Sequence, residues 1–149
     1  MTDPKEKTVA RLRHMAYYLK DEDLDLIVGL ILTDLGFRAN KVSFLYLKAA
    51  VLRFYDDPSQ LLTYGVYQDV AKAFGRNTSR YQVEVAIRRA IKQAWVDRDP
   101  KTWNSYYPLC VTTRPGGPSN MEFLLGMAAV LDLWSICKKV MEGEARHGS

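Results

Sequence analysis

Apolar residues recur along this chain at the three-to-four-residue spacing of a helix face. The first such run covers residues 5–20, where the apolar positions are Val9, Leu12, Met15, Ala16 and Leu19. The same spacing predicts further helices over residues 24–35, 41–55, 66–74, 79–96, 102–106 and 119–140. No segment shows the apolar–polar alternation of a half-buried strand. The predicted fold class is therefore all-α, a compact bundle of about six to seven helices.

Helix-capping residues mark the predicted helix boundaries. Gly36 and Gly75 follow apolar runs and are suited to helix ends. Two capping boxes, Ser79-x-x-Gln82 and Ser119-x-x-Glu122, open the two longest predicted helices. Residues 107–118 contain three prolines and Gly116-Gly117, which predicts a loop. The expected organisation is an N-terminal helical extension (1–23), one domain (24–141) and a flexible tail (142–149).

Residues 66–96 have the layout of a helix-turn-helix that reads DNA, with a short helix, a tight turn at 75–78 and a long helix. Positive charge is concentrated there. Between residues 72 and 98 seven basic residues face only two acids, so this window carries +5 whereas the whole chain carries +4. The basic residues are Lys72, Arg76, Arg80, Arg88, Arg89, Lys92 and Arg98. Double-stranded DNA is the predicted partner, because charge confined to one element fits a polyanion.

The periodicity of residues 79–96 separates a buried stripe from a face that would meet DNA. Arg88 and Glu84 are predicted to reach base edges. Val85 on the same face would contact either a thymine methyl group or another protein. Gln82 would read adenine, or its side chain would serve the cap. Phosphate neutralisation is expected mostly from Arg80, Arg89 and Lys92, and the turn residues Arg76, Thr78 and Ser79 complete the predicted site.

Composition argues against other classes of function. The chain of 149 residues is long enough for one core, and its two cysteines, Cys110 and Cys137, lack the spacing of a zinc site. The only histidines, His14 and His147, stand outside any plausible nucleophile–base pair. We therefore expect no enzyme activity, no metal and no cofactor. Met1 to Lys20 is charged throughout and has no signal-peptide core, which favours a cytoplasmic, nucleoid-associated protein.

Four blocks within about residues 24–134 carry a resemblance to a known family. They are Phe44-Leu45-Tyr46-Leu47-Lys48-x-Ala50, Tyr67-x-Asp69-x-Ala71-Lys72-x-Phe74, Glu84-x-Ala86-Ile87-Arg88-x-Ala90-Ile91-x-x-Ala94-Trp95, and Pro118-x-Asn120-x-Glu122-Phe123 with Met127. In this order they resemble the C-terminal effector domain of the stage-zero sporulation response regulators. The resemblance implies an all-α domain whose helix-turn-helix reads a short promoter box, often as tandem copies. A homodimer on tandem sites is thus one expected assembly.

The chain departs from the family in the helix that would read DNA. Gln82 and Val85 stand where the family has arginines, and Arg89 stands where a histidine is usual. Losing two contacts worth about 1–3 kcal/mol each predicts a target different from the family's box. The short segment before the shared region leaves no room for the family's receiver domain. Two hypotheses remain open: a sequence-specific DNA-binding regulator, or an interaction module that pairs with a sporulation regulator or another protein.

Overall fold

The computed structural model describes residues 4–19, 23–109, 112 and 114–147. Within these ranges the chain forms seven α-helices and one π-helical turn, and no strand. The helices are α1 (Pro4–Leu19), α2 (Leu24–Asp34), α3 (Val42–Asp56), α4 (Gln68–Phe74), α5 (Arg80–Val96), α6 (Pro100–Asn104) and α7 (Asn120–His147), and the π-helical turn spans Leu62–Tyr67. The predicted all-α class is confirmed.

Helix α3 lies at the centre of the bundle, against α2, α5 and α7. Its apolar residues Phe44, Leu47, Ala50, Val51 and Phe54 are buried in one continuous core. The first helix, α1, packs along α7 and contributes Leu12 and Ala16, both fully buried. The N-terminal segment is therefore built into the same core as the rest of the bundle.

Long-range polar contacts tie α1 to the segment after α6. The Arg11 Nε donates to the Tyr106 hydroxyl at 2.9 Å, and that hydroxyl donates to the Asp34 carboxylate at 2.6 Å. Arg11 also pairs directly with Asp34. Burial and the Asp34 carboxylate together raise the pKa of Tyr106. The buried Thr8 hydroxyl accepts the backbone N–H of Tyr107 at 2.7 Å.

Three helix boundaries differ from the sequence prediction. The chain is already helical from Leu62, as a π-helical turn in which the N–H of Val66 bonds the carbonyl of Leu61. Helix α6 ends at Asn104 rather than near residue 106, while its start agrees with the prediction, because Asp99 caps it and Pro100 suits a first helical position. The predicted end of the last helix near residue 140 is wrong, and residues 142–147 of the predicted tail belong to α7. Met141 extends its apolar face against the core, and the residues that follow are mostly good helix formers.

Within the described ranges, no helix combines the length and apolar character that a membrane span requires. Cys137 on α7 is buried, and burial raises the pKa of its thiol. Cys110, also considered from the sequence, lies outside the described residues.

Candidate nucleic-acid interface

Helices α4 and α5 and the turn between them have the arrangement of a helix-turn-helix. Helix α4 ends at Gly75, whose φ of 117° lies in the left-handed region that favours glycine. The turn closes when the N–H of Thr78 bonds the Gly75 carbonyl at 3.2 Å. Ser79 then starts α5 with the predicted capping box, because its hydroxyl accepts the N–H of Gln82 at 3.1 Å.

Helix α5 separates into a buried stripe and an outward face, as its periodicity predicts. Val83, Ile87, Ile91 and Ala94 are buried, and they pack on α3, α4 and the π-helical turn. The cationic residues predicted for DNA point outward: Arg76 in the turn and Arg80, Arg88, Arg89 and Lys92 on α5 are all exposed. Thr78 is half-buried and Ser79 is exposed, at the base of the turn.

A cationic cleft of about 460 Å³ lies where α4, the turn and the start of α5 meet. Lys72 and Arg76 line it, and neither makes an ion pair within the described chain. Arg80 lines it too, but its guanidinium is held in place. It stacks 4.6 Å from the ring centre of Tyr64 and donates to Gln68 Oε1 at 3.2 Å. The cleft thus presents fixed positive charge at the leading end of α5, and such charge suits a phosphate group.

The middle of α5 carries one ion pair on its outward side, between Arg88 and Glu84. Arg88 Nη1 lies 3.5 Å from Glu84 Oε1, a spacing of four residues along the helix. The Arg88 side chain is 57% exposed, so this pair contributes only a few tenths of a kcal/mol. Either side chain can therefore leave the other for a base edge at small cost. Val85, one residue after Glu84, is half-buried rather than fully open.

The capping box limits what Gln82 can read. Its Oε1 accepts the backbone N–H of Ser79 at 2.8 Å. Bidentate reading of adenine needs the same oxygen as acceptor for the base N6 amino group. The cap uses one lone pair of this oxygen and holds the side chain against Ser79, so bidentate readout would compete with the cap, and the Nε2 of Gln82 is the group left open for a base contact.

Contacts from α7 and the π-helical turn fix α5 from behind. The Asn120 Nδ2 donates to the Tyr67 hydroxyl at 3.1 Å and to the Glu84 carbonyl at 3.3 Å. Burial raises the pKa of Tyr67, so this hydroxyl stays neutral. Asn120 is the first residue of α7, next to the capping box of Ser119 and Glu122. Backbone hydrogen bonding by Ser119 lowers the pKa of the Glu122 carboxyl.

Aromatic packing holds the far end of α5. Trp95 meets Trp103 edge to face, with ring centres 5.4 Å apart. The Arg98 guanidinium stacks 3.8 Å above the Trp95 ring. Gly117 lies directly against the same indole, where a Cβ atom would come within 2.5 Å of the ring. Both ends of α5 are therefore anchored while its outward face stays open.

Several residues of this interface were not predicted as site residues. The sequence analysis places Lys72 only in the basic window and does not single out Tyr64, which is 68% exposed. Gln68 and Asn120 act by positioning Arg80 and Glu84. The family blocks contain Lys72 and Asn120, but only the folded chain shows what they contact.

These features define an all-α domain in which a short helix, a tight turn and a long helix with a cationic outward face follow one another, an order consistent with a helix-turn-helix. The sequence also matches a family model over residues 28–131, more than half of the chain. That model describes the C-terminal domain of the sporulation initiation factor Spo0A. The chain therefore belongs to the Spo0A C-terminal family, a family of DNA-binding regulatory domains rather than of enzymes.

Proposed function

We propose that this protein is a sequence-specific transcription regulator that reads double-stranded DNA with α5. One observation carries the proposal: the outward face of α5 is cationic and open, while its other faces are anchored in the bundle. Arg89 and Lys92 on that face make no ion pair within the described chain. Family membership adds independent support.

Base reading is assigned to the first half of α5. Arg88 would donate to guanine O6 and N7, and Glu84 would accept from a cytosine amino group. Val85 is apolar and suits the methyl group of thymine. Because Gln82 serves the cap, its contribution is limited to one donor. The target therefore differs from a box read by arginines at positions 82 and 85.

Phosphate contacts are assigned to residues on either side of the base-reading residues Glu84, Val85 and Arg88. The cationic cleft, with Lys72, Arg76 and Arg80, would hold a backbone phosphate at the leading end of α5, with the Thr78 and Ser79 hydroxyls beside it. Arg89 and Lys92 would neutralise phosphates further along the helix. Each neutralised phosphate releases counterions, so affinity would fall steeply as salt rises. The proposal extends to function at the nucleoid, as a homodimer on tandem sites, which the family resemblance implies.

The proposal is tested by titrating the protein on a library of genomic fragments at two salt concentrations. We expect a small set of fragments to stay bound at the higher concentration, because base contacts survive screening better than phosphate contacts. Binding that is equal on all fragments and erased by salt would contradict specific readout.

Two substitutions separate the assigned roles. Arg88→Ala should weaken the selected fragments by about 1–3 kcal/mol and relax one position of the target. Lys92→Ala should weaken all fragments alike and lower the salt slope by about 1. The control is Lys139→Ala, an exposed lysine 19 residues beyond Asn120 along α7, or about 28 Å at 1.5 Å per residue. An Arg88→Ala profile identical to that of Lys139→Ala would remove Arg88 from the site.

The competing function is an interaction module that keeps the fold without reading DNA and pairs with a sporulation regulator or another protein. Light scattering of the protein with and without the selected fragments distinguishes the two. A stable complex with a protein partner and none with DNA would favour the interaction module.

A further inference from the structure

A second concave surface lies beside α5. It is a groove of about 920 Å³, bounded by the turn between α2 and α3, the start of α3, and the second half of α5. Its volume is in the range of sites that enclose a ligand or an inserted side chain. The groove is separate from the cationic cleft, which lies at the other side of the helix-turn-helix.

The floor of the groove is apolar and its rim is basic. Phe37 and Phe44 line it and are buried, and α5 contributes alanines 86, 90 and 94 beside the polar residues Arg89, Gln93 and Asp97. Arg38 and Lys41, in the turn before α3, and Arg89, on α5, stand on the rim. All three are exposed, and none makes an ion pair within the described residues. The one acid, Asp97 at the end of α5, accepts a hydrogen bond from Gln93.

The start of α3 adds to this positive potential in an unusual way. Lys41 occupies its N-cap position, where serine, threonine, aspartate and asparagine are preferred. No side chain caps the helix, and its first turn contains no acid. Ser43, in this first turn, lines the groove. The start of α3, which has no capping side chain, and the positive end of its helix dipole therefore lie beside the three cations. An anionic group of another molecule would accept hydrogen bonds from the N–H groups at the start of α3, which no side chain of this protein caps.

We propose that this groove binds an acidic, amphipathic segment of a partner protein. A carboxylate of the segment would cap α3 beside Lys41, and a second would pair with Arg38 or Arg89. An apolar side chain between them would rest on the alanine floor. The apolar floor favours a peptide over a DNA backbone, which has no group to bury there. This inference goes beyond DNA binding and does not depend on it, although Arg89 is shared by the two surfaces.

The test is a selection from a library of random 12-residue peptides on the full chain, with counter-selection on Lys41→Asp. That variant places a good capping residue at the start of α3, so it should fold and melt about 2–4 °C higher. We expect peptides with two or more acids around an apolar residue. Their affinity for Lys41→Asp should be at least about tenfold lower, because the peptide carboxylate loses a charge-assisted bond to Lys41 and is repelled by the new aspartate.

The control variant is Lys139→Glu, which makes the same change in net charge on α7 and should bind the peptides normally. Amide chemical shifts should change at Arg38, Lys41 and Ala90. Failure to enrich any peptide, enrichment without acidic bias, equal affinity for Lys41→Asp, or shifts elsewhere would overturn the proposal. The proposal would also be overturned if no peptide bound Lys41→Asp and this variant lost DNA binding as well, because the groove would then belong to the DNA surface. DNA titration of the same variants reports on the proposed function separately.

Discussion

The amide of Asn120 offers the sharpest test of how α5 is positioned. Substitution by alanine removes two hydrogen bonds at once, to the Tyr67 hydroxyl at 3.1 Å and to the Glu84 carbonyl at 3.3 Å. Tyr67 is only 2% exposed, so water cannot readily replace the lost donor. The Glu84 carbonyl lies within α5 and keeps its helical partner, so its loss is smaller.

These two contributions set the expected magnitude. An unsatisfied buried hydroxyl costs about 1–3 kcal/mol, and a lost second bond to a carbonyl about 0.5 kcal/mol. We expect Asn120→Ala to lower the free energy of unfolding by about 2 kcal/mol in total. At about 2–4 °C per kcal/mol for a chain of this size, the melting temperature should fall by about 4–8 °C. The measurement is urea unfolding, supported by calorimetry.

A double-mutant cycle isolates the contact itself. The cycle combines Asn120→Ala with Tyr67→Phe, and about 1 kcal/mol of coupling is expected because the two groups share one bond. Asn104→Ala, at an exposed asparagine that ends α6, is the matched control and should stay within about 0.5 kcal/mol of the wild type. Additive effects of the two substitutions, within about 0.3 kcal/mol, would refute the Asn120–Tyr67 bond as a link between α7 and the π-helical turn that packs on α5.

Further substitutions test the remaining supports. Gly117→Ala should lower the free energy of unfolding by about 1–3 kcal/mol in urea, since its φ is 96° and the new Cβ would lie 2.5 Å from Trp95 Cγ; Gly116→Ala meets open space and is the control. Ser79→Ala should cost about 1 kcal/mol and speed amide exchange in the first turn of α5. The raised pKa of Tyr106 means that its stabilisation is present below pH of about 10 and is lost as the pH rises towards the folded-state pKa. Tyr106→Phe should therefore flatten the decline in the free energy of unfolding between about pH 9 and 11, measured by urea unfolding at each pH. An unchanged slope would assign the decline to other groups.

Local chemistry explains why α5 was predictable from the sequence. Ser79 and Gln82 cap the helix through neighbours three residues apart, and the turn at Gly75 needs only one residue with a left-handed backbone. Such signals are complete within a few residues. The π-helical turn gave no comparable signal, because its wider hydrogen bonding does not follow the periodicity of an α-helix.

Contacts between distant segments explain what the sequence did not reveal. Arg11 and Tyr106 are 95 residues apart, and their bond makes α1 part of the bundle rather than an appendage. The groove likewise depends on Arg38, in the turn before α3, and Arg89, on α5, lining one concave surface. The stack of Arg80 on Tyr64 changes an apparently free cation into a fixed one. Periodicity assigns a residue to a face but does not say which residue of another element stands opposite.

The supports of α5 avoid the face that would read DNA. Asn120 contacts its backbone, Trp95 anchors its end through the indole, and Tyr64 holds Arg80 at the rim. Positions such as Val85 can therefore change identity without disturbing the packing that orients the helix. This separation gives a physical reason why the chain can keep the family's fold with Gln82 and Val85 at positions where the resemblance predicts arginines. We infer that the DNA target is encoded in a few outward side chains, and that the scaffold behind them supplies only their orientation.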